Sequence, residues 1–179
     1  MIIDAELLRD IMPYTKRADL FAEPLDAACA EFGIDTPKRI AAFLANVAVE
    51  SGSLKYVREI ASGEAYEGRD DLGNTEAGDG VRFRGRGLIQ ITGRSNYERC
   101  GAALDCDLLS TPGLLESPDL AARSAGWFFA THGCNELADA DDFFGVCKRI
   151  NGLNRKTHEP NGYEERQAYH ARACAVLGC

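Results

Sequence analysis

The stretch 41-AAFLANVAVESGSLKYVREI-60 decides how this chain folds, because an apolar helix runs directly into a glutamate and a glycine. At about 100° per residue, the segment 37–50 places its large apolar side chains on one stripe. These side chains are Ile40, Phe43, Leu44 and Val47. Glu50 comes three residues after Val47 and therefore projects from the same stripe. A solvated glutamate is expected on the opposite face, with Lys38 or Asn46.

Placement at the buried edge of a helix gives Glu50 a chemical role. Burial disfavours the charged carboxylate, so we expect a raised pKa for Glu50, which suits a general acid. Gly52 ends the helix before Glu59, which a continuous helix would carry about 180° around and roughly 13 Å further along the axis. We therefore expect the chain to turn at Gly52 and to bring Glu59 across a cleft from Glu50.

Two carboxyl groups that face each other across a cleft are typical of glycoside hydrolysis. A separation of about 6.5–9.5 Å leaves room for a water molecule and predicts inversion, whereas about 5 Å predicts retention. Two alternatives stay open at this point. A glutamate at a helix end also has ordinary structural roles, and Glu64 and Glu67 offer further carboxylates near Glu59.

The bulk composition is that of a folded, acidic chain. Its 179 residues are 45% apolar and carry a formal net charge of −8. These values predict a single folded domain over residues 1–179, or one domain with a small lobe. The negative charge argues against sequence-independent binding to nucleic acid. The seven cysteines show no CxxC spacing, so we expect small buried side chains rather than a zinc site.

The sequence also lacks the usual membrane and export signals. No apolar run reaches the roughly 18 residues of a membrane span, so we expect no membrane insertion. The N-terminus has no basic segment followed by an apolar one, as a secretory signal would have. We therefore expect the protein to accumulate in the cytoplasm of the cell that produces it.

Helical periodicity dominates the chain outside one loop. The expected helices span residues 4–12, 20–32, 37–50, 94–103, 118–132, 139–150 and 162–177. Asp19, Thr36 and Gly133 mark helix ends as caps. The segment 61–82 is rich in Gly, Asp and Glu and predicts a long loop. The fold class is therefore mainly α, in which this loop and the short β-like segment 88-LIQIT-92 form one side of a substrate cleft.

Polar side chains are spaced along the glycine-rich segment 83-FRGRGLIQITGRSNY-97. Its glycines predict close approach of the backbone to an elongated ligand. Gln90, Thr92 and Asn96 offer hydrogen bonds to sugar hydroxyl and N-acetyl groups. The Thr92 hydroxyl is also expected to hold a nucleophilic water beside Glu59.

The arginines of this segment have two possible roles. Arg84 and Arg86 are expected either to pair with acidic residues, the catalytic ones included, or to buttress a buried turn. Together with Arg82 and Arg94 they give the cleft local positive charge, and we expect Arg84 to contact the substrate. The RGRG sequence alone is similar to nucleic-acid-binding motifs, but its acidic flanks and the apolar LIQIT insert argue against that function.

Several motifs in order resemble the family 19 glycoside hydrolases, which are the chitinases and their lysozyme-like phage relatives. FRGRGLIQITGRSNY looks like the signature (Y/F)xGRGxxQ(L/I)(T/S)xxxNY, and AVESGSLKYVRE resembles the HESGxxxxxxE segment of the phage endolysins. The similarity continues through LLESPDLAARSAGWFFATHGC, RINGLN and GYEERQAYHARACAVL, and it covers residues 24–178. The resemblance implies a lysozyme-like α+β fold in one helical catalytic domain over residues 1–179, without a separate wall-binding module. It also implies no metal or organic cofactor, and hydrolysis with inversion.

The resemblance also implies roles for individual residues. Glu50 matches the general acid, Glu59 the general base that activates water, and Thr92 the hydroxyl residue that helps to position that water. Four residues match sugar-binding positions. These are Gln90, Asn96, Tyr97 and Asn151.

Three features depart from the family pattern. Val49 stands where His is usual, which leaves the surroundings of Glu50 more apolar. The segment between Glu59 and Phe83 is shorter than in many relatives, and RINGLNRKTHEPNG lacks the usual Asn-Gly-Gly and carries extra residues. Three histidines match no motif, and we expect them on the surface or in packing. These are His132, His158 and His170.

The resemblance leads us to expect an endolysin that hydrolyses the β-1,4 bonds of bacterial peptidoglycan. Its partner would be a peptidoglycan glycan strand, and we expect a monomer that reaches the periplasmic polymer after the inner membrane opens. Two alternatives stay open. One is a chitinase of the same fold, for which secretion is expected, and the other is a non-catalytic sugar-binding protein, which Val49 and the altered RINGLN region favour.

Overall fold

In the computed structural model, which describes residues 3–179, the chain is built almost entirely of helices. The helices in this range are α1 (Ala5–Ile11), α2 (Ala18–Glu31), α3 (Pro37–Glu50), α4 (Asp79–Arg82), α5 (Arg94–Leu104), α6 (Pro118–Thr131), α7 (Cys134–Asp139), α8 (Phe143–Asn151) and α9 (Tyr163–Leu177). Short 3-10 turns lie between them at Glu64–Tyr66, Asp70–Leu72 and Pro112–Glu116. From residue 3 onward, no helix combines the length and apolar character needed to span a bilayer.

Helix α3 lies at the centre of the core. Thr36 caps it, because its Oγ1 accepts a hydrogen bond from the backbone N–H three residues on, and Pro37 occupies the first turn. Every residue from 40 to 48 is buried, including Asn46, which is 1% exposed. The expectation that Asn46 lies on a solvated face is therefore wrong. Arg166 of α9 covers that face and donates a hydrogen bond to the Asn46 side chain.

Helices from later in the chain complete the burial of α3. Helix α9 packs along its length, and α7 and α8 also contact it, while α2 and α6 pack against each other. Phe43 of α3 meets Phe129 of α6 edge to face, with ring centroids 5.3 Å apart. Because α3 is enclosed by helices from the far end of the chain, its C-terminal residue Glu50 is held in a fixed position.

Most helix boundaries agree with the sequence to within two residues, but two features differ. Asp19 lies in the first turn of α2 rather than at its N-cap, and its carboxylate pairs with Arg9 instead. The helix expected over 139–150 begins only at Phe143, as α8, and the preceding residues 134–139 form α7, which was not expected. The chain breaks between them because Asp141 adopts a left-handed φ of 59° and Asp142 caps the start of α8.

The β-like segment forms less regular structure than the sequence suggested. Between residues 3 and 179 no strand occurs, and the pairing around LIQIT consists of isolated bridges from Arg86 to Ile91 and to Arg58. The expected loop 61–82 holds two of the 3-10 turns and α4. These elements follow Glu59 in sequence, and the first of them contacts Glu59 through Tyr66.

The prediction of small, buried cysteine side chains is confirmed for four of the seven cysteines. All seven are free thiols, and four of them are buried, at Cys29, Cys100, Cys134 and Cys147. Burial raises the pKa of Cys100 and of Cys134 to about 12. Protonated thiols of this kind pack as small apolar side chains.

The Thr36 cap gives a test of how α3 is stabilised. We expect Thr36→Ala to lower the free energy of unfolding by about 1 kcal/mol, because an N-terminal N–H loses its acceptor. Urea denaturation measures this loss. Thr36→Ser keeps the hydroxyl and serves as the control, so equal destabilisation by both variants would show that the cap contributes nothing.

Candidate active site

The turn after α3 sets the direction of the chain toward the second glutamate. Gly52, Ser53 and Leu54 have positive φ angles of 58°, 58° and 68°. Such a left-handed run is disfavoured for Ser and Leu, and it persists only where neighbours over-determine it. Here Ser53 Oγ lies 2.8 Å from Tyr169 Oη, and the Leu54 N–H donates to Ser51 Oγ at 2.8 Å. The expected turn at Gly52 is thereby confirmed.

Glu50 ends α3, and its carboxylate is ion-paired. Arg166 donates from Nη2 to Glu50 Oε1 at 2.5 Å, and Asn151 Nδ2 lies 3.4 Å from the same oxygen. The Glu50 side chain is 16% exposed and that of Arg166 only 1%. The apolar surroundings expected for Glu50 therefore include a buried guanidinium. Its second oxygen, Oε2, has no hydrogen-bond donor among residues 3–179 and is available to a substrate.

Arg166 uses all three of its nitrogens. Besides Glu50, it donates from Nη1 to Asn46 Oδ1 at 2.7 Å and from Nε to the Asn161 carbonyl at 3.1 Å. A buried guanidinium needs such partners, because an uncompensated buried charge is strongly destabilising. The Asn161 N–H in turn donates to Asn151 Oδ1 at 2.9 Å. A closed network thus fixes the Glu50 carboxylate.

Glu59 lies outside any helix and is held by the backbone and one tyrosine. Its N–H donates to the Gly85 carbonyl at 3.0 Å, and Tyr66 Oη donates to Glu59 Oε2 at 3.0 Å. Burial, together with the adjacent Glu59 carboxylate, raises the pKa of Tyr66, so this phenol stays a donor at neutral pH. Glu59 Oε1 is buried and has no hydrogen-bond donor in the described chain. This oxygen is free to accept a proton.

The other carboxylates near Glu59 have different positions. Glu67 accepts hydrogen bonds from the N–H groups of Gly78 and Gly80, at 2.6 and 2.8 Å, and so closes the long loop on itself. Glu64 is exposed to solvent at the start of its 3-10 turn. Glu59 is therefore the remaining candidate for the second carboxylate.

The long loop is an anchor for Tyr66. Asn74 is buried, donates to the Tyr66 carbonyl at 2.8 Å and accepts from the Arg94 N–H at 2.8 Å. The Arg94 guanidinium also lies 2.6 Å from the buried carboxylate of Asp79, and this hydrogen-bonded pairing holds the pKa of Asp79 below its usual value. These contacts hold the loop so that the Tyr66 hydroxyl is positioned next to Glu59.

Gly85 marks the point where three predicted site residues meet. A Cβ at this position would lie 2.7 Å from Gln90 Oε1, 3.2 Å from Glu59 Oε2 and 3.3 Å from Thr92 Oγ1. Thr92 and Glu59 thus approach the same point beside Gly85, whereas the water expected between them stays a prediction. The need for glycine at position 85 comes from these side chains rather than from the approach of a ligand to the backbone.

A cavity of about 150 Å³ adjoins these residues. Its lining includes Gln90, Thr92 and Asn96, as the sequence predicted, together with Ile150 of α8. Ile150 precedes Asn151, whose side chain reaches Glu50, whereas Thr92 neighbours Glu59. Neither carboxylate lines the cavity itself, and the LIQIT segment forms part of its wall.

Aromatic side chains of α6 form another part of this cavity. His132 stacks on Phe128 with ring centroids 3.7 Å apart, and both rings line the cavity beside Trp127. The expectation of a surface or packing role for His132 is therefore incomplete. His170 does pack, stacked on Phe143, and burial lowers its pKa, while His158 is exposed.

The structure corrects two predictions within the glycine-rich segment. Tyr97 is completely buried, and its hydroxyl donates to the Arg84 carbonyl at 2.6 Å and accepts from Arg86 at 2.9 Å. The prediction that Tyr97 contacts a sugar directly is therefore wrong, because its side chain is buried and hydrogen-bonded to the backbone at Arg84. Arg86 pairs with Glu116 at 2.8 Å rather than with a catalytic carboxylate. Of the two roles expected for Arg86, the structure therefore shows the structural one, support of a buried turn.

Two further substrate-binding candidates remain partly accessible. Arg84 is half-buried, has no carboxylate within 4.0 Å among residues 3–179, and lies 3.4 Å from the Ser62 carbonyl. Its expected pairing with a catalytic acid is absent, and its contact with substrate stays a prediction. The Asn96 carboxamide donates to the Thr92 carbonyl at 2.6 Å and accepts from Arg99. It borders the cavity at the same time.

The sequence profile described as Chitinase class I, that of glycoside hydrolase family 19, matches residues 28–146. The chain belongs to glycoside hydrolase family 19. An endochitinase of Arabidopsis thaliana is 34% identical over 167 residues, which are 92% of this chain and 56% of that protein. A glycosyl hydrolase family 19 domain-containing protein of Haemophilus influenzae is 36% identical over 114 residues, 63% of this chain and 52% of that protein. The chain thus spans about half the length of these curated relatives.

The fold is that of the same family. Chitinase C from Streptomyces griseus HUT6037 superposes with a TM-score of 0.81 at 23% identity, covering 98% of this chain and 76% of that chain. The expected mainly helical, lysozyme-like fold is thereby confirmed. The region matched by the family 19 profile contains Glu50, Glu59 and Thr92, but it ends before Asn151 and Arg166.

Sequence reasoning missed Arg166 and the role of Asn46. Arg166, Tyr169 and Ala173 recur at helical spacing on the buried face of α9. A charged residue on an apolar face is the same signal that singled out Glu50, so the pattern was available in the sequence. The partner of that charge was not, because the two residues are 116 positions apart.

Removal of the Arg166 guanidinium tests its hold on Glu50. We expect Arg166→Gln to lower the free energy of unfolding by about 3–5 kcal/mol, since a buried carboxylate loses its partner. We also expect a loss of kcat on the order of 10²-fold with little change in KM, because Glu50 moves from its position. Denaturation and steady-state kinetics below the unfolding temperature measure the two effects. Arg123→Gln, which breaks the distant Arg123–Glu31 pair, is the control; an equal loss of kcat there would contradict the prediction.

The crowding around Gly85 gives a second test. We expect Gly85→Ala to lower activity on the order of 10²-fold, because the new methyl group displaces Glu59, Gln90 or Thr92 by a few tenths of an ångström or more. Glycan hydrolysis and thermal unfolding measure the outcome. Gly113→Ala, where a Cβ meets no atom within 4 Å, is the control. Full activity of the Gly85 variant would show that the three side chains do not need their present positions.

Proposed function

We propose that this family 19 domain is a glycoside hydrolase that cleaves internal β-1,4 bonds of a polymer of N-acetylglucosamine, as in chitin. The observation that carries the proposal is that each of the two carboxylates is held through only one of its oxygens. Glu50 is held through one oxygen by Arg166, and Glu59 through one oxygen by Tyr66. The other oxygen of each is left for the reaction.

Glu50 is the general acid in this proposal. Because Arg166 and Asn151 hold Oε1, a proton on Oε2 is directed at the glycosidic oxygen. The proton passes to that oxygen as its bond to C1 breaks, and the leaving sugar departs as an alcohol. Arg166 then stabilises the carboxylate that remains on Glu50.

Glu59 is the general base. Its free Oε1 accepts a proton from a water molecule while the water oxygen attacks C1 from the face opposite the leaving group. The Thr92 hydroxyl, beside the Glu59 carboxylate, orients this water by hydrogen bonding. Attack from the opposite face converts the β-linkage into a product with the α configuration. Exchange of one proton with solvent at each carboxyl group then restores the enzyme.

The relatives support chitin rather than the peptidoglycan expected from the sequence. The Arabidopsis relative and the Streptomyces structure are both named chitinases. The carboxamides of Gln90 and Asn96 border the cavity and suit the N-acetyl groups that chitin carries on every sugar. Peptidoglycan shares those groups on its β-1,4-linked sugars, so both polymers are substrates to test.

Hydrolysis of chitin oligomers tests the proposal. We expect Glu50→Gln and Glu59→Gln each to lower kcat by at least about 10²-fold while the fold is retained, since each removes a proton-transfer group. Glu64→Gln, the exposed neighbour, is the control and should match the parent protein. Release of new reducing ends gives the rate, and proton NMR of fresh product gives the anomeric configuration.

The outcomes separate the alternatives. Full activity of Glu50→Gln would remove Glu50 from the mechanism, and a β product would show retention instead of inversion. A parent protein that binds N-acetylglucosamine oligomers without cleaving any polymer would favour the sugar-binding alternative. Cleavage of peptidoglycan but not of chitin would restore the substrate that the sequence predicted.

A further inference from the structure

Two thiols lie against each other where α9 ends. The Sγ of Cys179 is 2.7 Å from the Sγ of Cys174. Of the seven cysteines, all within residues 3–179, Cys179 alone is exposed, Cys174 is partly buried, and four others are buried. Thiol–disulfide exchange requires access of a reagent to a thiol. This pair therefore combines access from solvent with a second thiol in contact, and we call it the α9 thiol pair.

The backbone after α9 creates this contact. A helix that continued from residue 174 would carry residue 179 about 140° around the axis and roughly 7.5 Å along it, away from Cys174. Instead Gly178 adopts a left-handed φ of 78°, and the N–H groups of Gly178 and Cys179 both donate to the Cys174 carbonyl, at 2.8 and 3.2 Å. Glycine enters this conformation at little cost in free energy, so the reversal of the chain follows from the sequence.

Neighbouring groups give the two sulfurs different reactivity. Burial and the hydrogen bond with Cys179 raise the pKa of Cys174 to about 12, so Cys174 needs a base before it can attack. His170 Nε2 lies 3.8 Å from Cys174 Sγ, and burial lowers the pKa of His170, so its ring is neutral at pH 7 and can take the thiol proton. Lys38 and Asp141, which form an ion pair nearby, have opposite effects on the pKa of Cys174. Reaction therefore begins at the exposed Cys179.

We propose that the α9 thiol pair is a redox-reactive site, which low-molecular-weight disulfides such as oxidised glutathione convert into an intramolecular disulfide between Cys174 and Cys179. The disulfide closes the end of α9, the helix whose Arg166 holds Glu50. No other element has to move, since the backbone already brings the two cysteines together. The site is separate from the two carboxylates and does not depend on the proposed function.

The oxidation proceeds in two exchanges. The Cys179 thiolate attacks one sulfur of oxidised glutathione, the S–S bond of glutathione breaks, and one glutathione leaves as its thiolate. The Cys174 sulfur, after its proton passes to His170, then attacks Cys179 Sγ and displaces the second glutathione. The two thiol protons of the protein end on the two glutathione molecules. Two protein thiols are thus oxidised while one glutathione disulfide is reduced.

Equilibration with mixtures of oxidised and reduced glutathione tests the proposal. Free thiols are then blocked with N-ethylmaleimide, and trypsin, which cuts after Arg172, releases a peptide that holds both cysteines. In the disulfide form this peptide lacks two hydrogens and carries no maleimide, so mass spectrometry gives the effective concentration of one thiol for the other. We expect this concentration to be at least about tenfold higher in the folded protein than in the urea-unfolded chain, because the fold adds to proximity in sequence.

Three results would overturn the proposal. One is an equal effective concentration in the folded and unfolded chain. Another is glutathione or maleimide on both cysteines of the folded protein in the most oxidising mixture. The third is a disulfide between two molecules through Cys179, which a non-reducing gel detects.

Single substitutions separate the two sulfurs. In Cys174→Ser the reaction should stop at a mixed disulfide of Cys179 with glutathione, whereas Cys179→Ser should leave Cys174 largely unreacted. Cys106→Ser, at a partly buried cysteine outside the pair, is the control and should form the same disulfide as the parent protein. Uptake of glutathione by Cys174 in Cys179→Ser, as fast as by Cys179 in the parent, would contradict the order of the two exchanges.

The left-handed turn has its own readout. Gly178→Ala should lower the effective concentration on the order of tenfold, because alanine disfavours a positive φ. Gly152→Ala is the control, since Gly152 has a φ of 74° and an added Cβ meets no atom within 4 Å at either glycine. An equal effective concentration in both variants would show that the turn does not bring the thiols together.

His170 is tested by the rate of the second exchange. His170→Gln should slow closure of the mixed disulfide about tenfold and leave the equilibrium with glutathione unchanged, because a base affects the rate alone. His158→Gln, at an exposed histidine, is the control. An unchanged rate in His170→Gln would overturn the role given to its ring.

Discussion

The ion pair between Arg166 and Glu50 is the constraint on which the rest of the site depends. The two residues are 116 positions apart, so helix α9 must pack against α3 in the one register that brings them together. Any other register would leave the buried guanidinium without partners, and an uncompensated buried charge is strongly destabilising. The same group holds Asn46 and the Asn161 carbonyl, which links the central helix, the last helix and the segment between α8 and α9. The position of the candidate acid is thus a property of tertiary packing, although the residue itself ends a regular helix.

The second carboxylate is positioned by short-range means. Glu59 follows Glu50 by only nine residues, and its neighbours are the Gly85 carbonyl, the Tyr66 hydroxyl and the space left by the absent side chain of Gly85. Tyr66 is in turn held through Asn74, so the loop behaves as a rigid support. One carboxylate therefore depends on distant helices and the other on a local loop. The left-handed turn at Gly52 lies between the two carboxylates in the chain and directs the backbone from one toward the other.

The parts of the molecule that follow from local chemistry were predictable from the sequence. Thr36 and Pro37 define the start of α3, the apolar stripe defines its burial, and Gly52 defines its end. The meeting of Thr92 with Glu59 followed from the family resemblance and is present. The predictions that failed concern residues whose environment is set by packing against distant parts of the chain. Asn46 looked like a solvated residue because periodicity cannot show that α9 covers its face, and Tyr97 looked like a sugar contact because the motif does not reveal that its hydroxyl is used by Arg84 and Arg86. The family was therefore within reach of the sequence, whereas the partner of each buried polar group was not.

Asn161 anchors the segment between α8 and α9 by hydrogen bonds at a single residue. Its N–H bonds to Asn151 and its carbonyl to Arg166, so the backbone beside Glu50 is closed at residue 161. Residues 152–159 then form a loop, partly or fully exposed, whose two ends are already tied. Insertions into such a loop cost little free energy, because loop-closure entropy grows slowly with length. The length of this loop can thus change the surface near Glu50 while the candidate acid and its guanidinium keep the same geometry.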